Sequence, residues 1–120
     1  MVEIGKVNWL KVLRETDFGL VLDGDDLGEI LMPSRYVPRE WNEGDSLEIF
    51  LMLDSEDRLT ATSERPYAQV GEFAHLRVVE VTEVGAFLDW GLPKDVLVPF
   101  REQKIKMREG ESYVVYIYYD

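Results

Sequence analysis

The chain has 120 residues, no cysteine and a net charge of −11. The lack of cysteine excludes disulfides, thiolate metal sites and thiol nucleophiles. The negative charge opposes general attraction to phosphate backbones, because sequence-independent affinity for nucleic acids comes mostly from Lys and Arg. Composition alone therefore argues against a nucleic-acid-binding protein.

The N-terminal segment alternates charged and apolar residues and lacks the apolar core of a signal peptide. No stretch approaches the run of about 18 apolar residues that a membrane span needs. We therefore predict a cytoplasmic protein without a membrane partner. The acidity is concentrated in residues 1–66, which hold fifteen acidic and seven basic residues, whereas residues 67–120 hold nine and six. We interpret the acidic first half as a solubilising surface.

Short apolar and β-branched runs separated by turn residues predict an all-β protein. In the first half the runs predict five strands, at residues 7–13, 18–23, 28–33, 46–53 and 58–63. In the second half they predict four strands, at residues 73–81, 85–90, 95–100 and 112–119. Outside these strands, only residues 101–108 have the composition for a turn or two of helix.

The second half repeats the first at an offset of 66 residues. Residues 4–54 align with residues 70–120 without a gap, and 14 of the 51 positions are identical, where average residue usage gives about three by chance. The first copy continues into its predicted fifth strand, whereas the aligned second copy stops at Asp120. We predict two barrels, residues 1–63 and 70–120, joined by a short linker at 64–69. The second barrel is expected to lack its last strand.

Gly19 and Gly85 occupy the same place in the two copies, at the start of a predicted second strand. Glycine weakens a strand unless the backbone bends, bulges or approaches another chain closely. The recurrence therefore predicts a strand that coils around a corner of each barrel.

The succession of a strand, an FG-x-V-x-D segment, a turn, an L-x-P segment and a final RLTATS resembles the S1 RNA-binding domain, a five-stranded OB barrel. The segment GEFAHLRVVEVTEVGAFLDWGLPKDVLVPFREQ, following LDSEDRLTATSERPYAQV, resembles the N-terminal tandem domains of the conserved virulence factor B family of bacterial proteins. The resemblance covers essentially the whole chain. It implies two tandem S1-like OB barrels. It also implies a module of a longer RNA-binding regulator of gene expression, whose further domains are potential partners.

In S1 domains, RNA contacts two aromatic residues of the second strand, a histidine at the end of the third, an aspartate after the fourth and an arginine four residues later. The resemblance assigns three of these positions in the first copy to Phe18, Asp54 and Arg58. The other two positions hold Val21 and Pro33. The first copy therefore carries an incomplete version of the family site.

In the second copy the resemblance assigns the second aromatic to Phe87 and the aspartate to Asp120, while Val84 and Pro99 replace the other aromatic and the histidine. The arginine position falls beyond the last residue. A base stacked on an aromatic residue contributes about 1–3 kcal/mol of binding free energy. Because each domain lacks one of the two family aromatics, we predict weak RNA binding.

Four basic residues occur within eight positions, at Arg101, Lys104, Lys106 and Arg108, with one acidic residue among them. They form the best cationic patch of an acidic chain and could meet phosphates beside the aromatic position, or they could belong to a solvated connection. Trp90 is the last residue of the predicted strand 85–90, next to an exposed turn, so it could stack on a base or cover the open end of the barrel.

Other chemistry is weakly supported. The single histidine, His75, lies at an alternating strand position and has no second metal ligand nearby in sequence. The acidic residues of the turn at 23–29 lack the ligand order of a calcium loop. No nucleophile motif, phosphate loop or spaced carboxylate pair is present. We therefore predict no catalysis, no cofactor, no metal site and no small-molecule substrate.

Two functions remain open. The first is a nucleic-acid-binding module that takes single-stranded RNA weakly, with Phe87, Trp90, Arg101, Lys104 and Arg108 in the second copy as the better surface. The second is a structural or protein-interaction module whose nucleic-acid face has degenerated, since a fold does not fix a function.

Overall fold

The structure is a computed structural model that describes residues 1–118. The chain forms two compact units, one spanning Met1–Arg65 and the other beginning at Pro66. In the described residues, all regular structure is β-strand or single 3₁₀ turns. The predicted all-β class is confirmed.

The first unit is a closed five-stranded barrel. Its strands are β1 (Val7–Thr16), β2 (Gly19–Asp23), β3 (Glu29–Pro33), β4 (Ser46–Leu53) and β5 (Leu59–Thr62). They follow one another around the barrel in the order β1-β2-β3-β5-β4. The barrel closes because β5 lies between β3 and β4, parallel to β3 and antiparallel to β4.

The second unit contains the first four strands of the same plan. They are β6 (Phe73–Thr82), β7 (Gly85–Asp89), β8 (Val96–Pro99) and β9 (Ser112–Tyr116). Their order is β8-β7-β6-β9, with every neighbouring pair antiparallel. Within residues 1–118 this sheet stays open between β8 and β9. The prediction of two tandem barrels, the second without its last strand, is confirmed.

The two units share backbone detail as well as strand order. The amide of Gly5 donates to the Leu51 carbonyl at 2.7 Å, and the amide of Gly71 donates to the Ile117 carbonyl at 2.7 Å. A register shift interrupts β1 after Val12, and an equivalent shift interrupts β6 after Val78. The sequence repeat is therefore a structural repeat at the level of single hydrogen bonds.

Gly19 and Gly85 lie where β2 and β7 begin, and each is packed against the end of the neighbouring strand. A Cβ atom on Gly19 would stand 2.0 Å from the Met32 carbonyl oxygen, and one on Gly85 would stand 2.4 Å from that of Val98. Both residues also have positive φ, +144° and +147°. Of the reasons that the sequence left open for a glycine here, the structure shows a close approach of backbone, and this approach excludes any side chain at these positions.

Each unit has its own core, formed by the inward face of alternating strand residues. In β2, Leu20 and Leu22 are buried, and in β7 the equivalent Ala86 and Leu88 are buried. The second core is completed by Leu76 and Val78 of β6 and by three residues outside the strands, Ala68, Met107 and Ile117.

Three details differ from the sequence expectations. Phe18 lies in the turn before β2 instead of in the strand. The segment 101–108 contains only a 3₁₀ turn at Phe100–Glu102. The last strand ends at Tyr116, and Tyr119 and Asp120 lie outside the described residues.

Among residues 1–118, no helix combines the length and hydrophobicity that crossing a membrane requires. The same part of the chain contains no group of three or more His, Asp or Glu side chains placed to hold a metal ion.

Candidate nucleic-acid interface

Phe18 is an exposed aromatic of the first unit, with 76% of the residue accessible. Its carbonyl accepts a hydrogen bond from the Ser34 amide at 3.0 Å, and its amide donates to the Thr16 hydroxyl at 3.2 Å. These contacts fix the β1–β2 turn against the end of β3. The turn therefore presents the ring to solvent from a defined backbone.

Val21, at the second aromatic position, is buried on the outer face of β2. Its cross-strand neighbours are Arg14 on β1 and Leu31 on β3. The guanidinium of Arg14 donates to both carboxylate oxygens of Glu29, at 2.7 and 3.0 Å. These hydrogen bonds lower the pKa of Glu29. The ion pair crosses β2 beside Val21, so this face offers no open stacking platform.

Asp54 and Arg58 are brought together in the turn between β4 and β5. One carboxylate oxygen of Asp54 accepts from the amides of Glu56 and Arg58, at 2.8 and 2.9 Å. The other accepts from Arg58 Nε at 3.0 Å. Arg58 also pairs with Glu56 at 2.5 Å. Both candidate side chains therefore serve the turn itself, and two carboxylates offset the charge of Arg58.

Phe87 occupies the outer face of the open sheet. Its neighbours along β7, Ala86 and Leu88, point into the core, so the period-two alternation of a strand turns Phe87 outward. It pairs with Glu80 on β6 and with the exposed Leu97 on β8. The ring is half-buried. Its fixed position and open outer side are the properties of a stacking platform.

One end of this face is acidic. Asp95 lies just before β8, and its pKa is raised by partial burial and by the negative charges of Asp89 and Glu80. In the repeat, Glu80 and Asp95 stand where the first unit has Arg14 and Glu29. An ion pair across the second strand is therefore replaced by two like charges, which repel phosphate at this end of the face.

The other end of the face is basic. Arg101, Lys104, Lys106 and Arg108 are all exposed, and none of them forms an ion pair with a carboxylate within residues 1–118. The segment that carries them begins directly after β8, where Pro99 pairs with Gly85 of β7. The charge thus changes from negative before β8, at Asp95, to positive in the segment after it, and two of its cations, Arg101 and Lys104, line the cleft between β8 and β9.

The basic segment is held in place by its uncharged side chains. Gln103 Nε2 donates to the Val98 carbonyl at 2.9 Å, and Gln103 Oε1 accepts from the Met107 amide at 2.9 Å. Met107 is buried in the second core, and the amide of Arg108 donates to the Tyr113 hydroxyl at 3.0 Å. The four cations therefore project from an anchored backbone.

Trp90 is placed against the core of the second unit. Its ring packs partly buried on the core cluster, and its Nε1 donates to the Lys94 carbonyl at 2.8 Å. Its own carbonyl accepts from the Tyr67 amide at 2.7 Å. The ring is therefore partly engaged in packing, and its stacking on a base stays a prediction.

The structure also shows an aromatic pair that sequence reasoning did not single out. Phe73 on β6 and Tyr116 on β9 are cross-strand partners, with ring centroids 5.0 Å apart and both side chains exposed. Period-two alternation along residues 112–118 places Tyr116 and Tyr118 on one face. Which face of an open sheet is bare depends on strand order, so the sequence pattern alone did not indicate their exposure.

The strand order of the first unit and its intervening β5 define a five-stranded OB-type barrel, and the second unit repeats four of its strands. The sequence profile of the S1 domain matches this chain twice, at residues 4–64 and 70–120. The chain belongs to the S1 domain family.

Two longer proteins are similar to the chain. The uncharacterized protein YitL of Bacillus subtilis (strain 168) is 36% identical over 91 residues, which is 74% of this chain and 30% of YitL. A crystal structure described as a multidomain protein with nucleic acid binding domains, from Streptococcus pneumoniae TIGR4, superposes with a TM-score of 0.73 at 21% identity. That match covers 94% of this chain and 41% of the streptococcal chain. The chain thus spans less than half the length of either protein.

Proposed function

We propose that this chain is a nucleic-acid-binding module whose ligand is single-stranded RNA, and that the second unit provides the stronger surface. The observation that carries the proposal is Phe87, an outward aromatic on β7 in an S1-family sheet that continues into a basic segment. Aromatic platforms stack on bases of any sequence, and basic residues contact the phosphates between them. The chain's affinity is weak because each unit keeps only one of the two family aromatics.

The first unit is mainly structural in this proposal. The Arg14–Glu29 ion pair crosses the place where a base would stack, and Arg58 is paired with Asp54 and Glu56. Phe18 remains its one exposed aromatic near the family site. A contribution from Phe18 is therefore smaller than that from Phe87.

A titration of labelled single-stranded RNA with the whole chain tests the proposal. At about 50 mM salt, where phosphate contacts are strong, Phe87→Val removes the ring and keeps a β-branched strand residue. We expect affinity to fall about 5- to 150-fold, the equivalent of one lost stacked base. Trp9→Ala, which removes an exposed aromatic from β1, is the matched control with less than twofold effect. Absence of binding by the folded chain at tens of micromolar RNA contradicts the proposal.

The alternative is a structural or protein-interaction module, and the acidity of the first unit favours it for that unit. Capture experiments with and without ribonuclease separate the two. A protein partner of the first unit stays bound after nuclease treatment, whereas an association bridged by RNA is lost.

We also propose that the module acts inside a longer, cytoplasmic bacterial regulator of gene expression. The resemblance to the conserved virulence factor B family supports this placement, and the similar proteins are both longer than this chain. Domain limits of 1–63 and 70–120, with a linker at 64–69, belong to the same proposal. Ultraviolet crosslinking of RNA to the full-length protein in cells tests the regulator, and limited proteolysis within 64–69 tests the linker.

A further inference from the structure

An exposed phenylalanine stands at the end of β8, beside the surface already described. Phe100 follows the last residue of the strand and begins the 3₁₀ turn that ends at Glu102. It is 41% exposed. Among the described residues, it is neither part of the second core nor one of the side chains packed on it, and it does not line the cleft between β8 and β9. Neither the interior nor the cleft therefore accounts for an aromatic ring at this position.

Phe100 belongs to the glycine corner of the second unit, which we define as Val84, Gly85, Pro99 and Phe100. Gly85 pairs with Pro99 across β7 and β8, so the antiparallel register sets Val84 opposite Phe100. Val84 is exposed as well. The backbones approach closely here, since a Cβ atom on Gly85 would stand 2.9 Å from the Cα atom of Pro99. The close approach therefore holds Val84 and Phe100 beside each other.

The first unit has the same corner with the aromatic residue on its other side. There the Ser34 amide donates to the Phe18 carbonyl at 3.0 Å, so these two residues are neighbours across the corner. In the repeat, Phe18 is equivalent to Val84, and Ser34 is equivalent to Phe100. The first unit thus carries a ring just before β2, and the second carries one just after β8. Each unit keeps one aromatic side chain at this corner.

The exposure of the corner does not depend on the strand that closes the first barrel. Ser34 is exposed although β5 is paired with β3. Leu31 and its equivalent Leu97 are exposed to similar extents, 38% and 42%. The surface that runs from Phe87 across its partner Leu97 to Phe100 is therefore accessible in a closed barrel of this repeat as well.

We propose that Phe100 is a second base platform of the second unit and takes the place of the aromatic that Val84 lacks. This assignment rests on the proposed binding of single-stranded RNA at Phe87. Because Phe87 pairs with Leu97, Phe100 lies three residues further along, about 10 Å at the rise of a strand. Val84 is also three residues from Phe87, so Phe100 recovers the spacing of the two family aromatics from the neighbouring strand.

The charge beside the ring favours a nucleic acid as the occupant. Arg101 follows Phe100 in the same 3₁₀ turn, is exposed, and forms no ion pair with a carboxylate among the residues that the structure describes. A base stacked on Phe100 has its phosphate within reach of this guanidinium, which can also stack on a base itself. An apolar protein partner would instead bury the charge without a counter-ion, which is costly. Two rings, Phe87 and Phe100, then make the second unit the stronger surface.

Titration of labelled single-stranded RNA with the whole chain at about 50 mM salt tests the proposal. Phe100→Ser introduces the residue that the first unit has at this position. We expect affinity to fall about fivefold or more, the equivalent of one lost stacked base. Phe73→Ser removes another exposed phenylalanine from the same unit. It is the matched control and is expected to change affinity by less than about twofold.

Two further variants separate base stacking from a structural role of the ring. Phe100→Leu keeps an apolar side chain without the ring and is expected to lose affinity as Phe100→Ser does, which covers the case in which the serine variant does not fold. Adding Val84→Phe to Phe100→Ser recreates the arrangement of Phe18 and Ser34. We expect this double variant to recover affinity to within about threefold of the native chain. A ring that only supports the fold is not replaced from the other side of the corner.

The outcomes distinguish this proposal from the function proposed for Phe87. If Phe87→Val weakens RNA binding while Phe100→Ser and Phe100→Leu do not, Phe100 is not a platform and the function at Phe87 stands. Absence of binding by the folded native chain overturns both. A protein whose capture survives ribonuclease and is lost with Phe100→Ser, at unchanged RNA affinity, also overturns the platform and assigns the glycine corner to a protein partner.

Discussion

The side chains of Asp54 and Arg58 close the turn between β4 and β5, with Arg58 Nε 3.0 Å from Asp54 Oδ2. The same carboxylate accepts the Arg58 and Glu56 amides, and the Asp54 amide donates back to the Arg58 carbonyl. The turn leads directly into β5, the strand that closes the first barrel. A pair that the S1 resemblance assigns to RNA contact is therefore engaged in local structure.

This relationship predicts a pH-dependent contribution to stability. The backbone hydrogen bond from Arg58 is the main cause that lowers the pKa of Asp54 below its ordinary 3.8. A carboxyl with a lowered folded-state pKa stabilises the fold above the unfolded-state value, and that stabilisation is lost as pH falls through the folded-state pKa. Asp54→Ala is thus expected to be less stable than the native chain at neutral pH, and the difference is expected to shrink below pH 3.8.

Urea unfolding at a series of pH values measures this effect. Glu56→Gln is the matched control, because Glu56 contacts the same arginine without accepting the turn amides through its side chain. A stability difference for Asp54→Ala that is unchanged between neutral and strongly acidic pH would contradict the prediction.

The acidic corner, formed by Glu80, Asp89 and Asp95, predicts a stabilising substitution. Burial first, and then Asp89 and Glu80, raise the pKa of Asp95. The charged form is therefore disfavoured in the folded state, and the associated stability is present at low pH and lost as pH rises through the raised pKa. We expect Asp95→Asn to stabilise the chain at pH 7, since it removes a negative charge beside Asp89 and Glu80. We also expect it to strengthen RNA binding, since it removes a negative charge that repels phosphate near Phe87.

Thermal unfolding at pH 7 and at about pH 3 measures the effect on stability. The gain in stability of Asp95→Asn over the native chain is expected to vanish at the lower pH. Asp17→Asn makes the same charge change at an exposed turn of the first unit. If the two variants gain equally in RNA affinity, net charge rather than the acidic corner accounts for the effect.

The basic segment predicts a change in salt dependence. If Lys104 and Arg108 each contact one phosphate, replacing either by alanine lowers the slope of log affinity against log salt by about 0.7, the value for a single strand. Titrations between about 50 and 200 mM salt measure the slope. Lys11→Ala removes an exposed cation from β1 and is expected to leave the slope unchanged. Equal slopes in all three variants exclude phosphate contact by the segment.

The corner glycines predict unequal costs for the same substitution. Gly85→Ala sets a Cβ atom 2.4 Å from the Val98 carbonyl oxygen, whereas Gly110→Ala meets nothing within 4 Å. Both positions have positive φ, so alanine strains the backbone at both. Only at Gly85 does the added Cβ atom also clash with the neighbouring strand. We expect Gly85→Ala to lose about 1–3 kcal/mol more stability in chemical unfolding. Similar losses for the two variants would show that the neighbouring strand moves away.

The sequence predicted the strand pattern well because period-two alternation and turn residues are local signals. β4 was placed to the residue, and the glycine constraint at Gly19 and Gly85 followed from their recurrence. Phe18 was misplaced by one residue across a strand boundary, where a turn and a strand have similar residue preferences. Its role in the site is a prediction that binding measurements will test.

Features that join distant residues required the structure. The ion pair of Arg14 with Glu29 spans fifteen residues of sequence, and it crosses β2 beside Val21 only because β2 separates β1 from β3. The aligned copies show that Glu80 replaces Arg14 while Asp95 keeps the negative charge of Glu29, but the effect of this change on Phe87 depends on the same strand order. Cross-strand neighbours are set by register, which no single strand encodes.

The sequence by itself determined that the chain holds two copies of one β fold and that the second copy lacks the segment aligned with β5. Repetition and alternation are properties of the chain, so they need no tertiary contacts to be recognised. The tertiary structure decided which side chains of the second unit are exposed in the absence of that strand, because the burial of a side chain depends on the strands on either side of it. It placed Tyr116 and Tyr118 in solvent where Phe50 and Met52 are covered, and it left a cleft between β8 and β9.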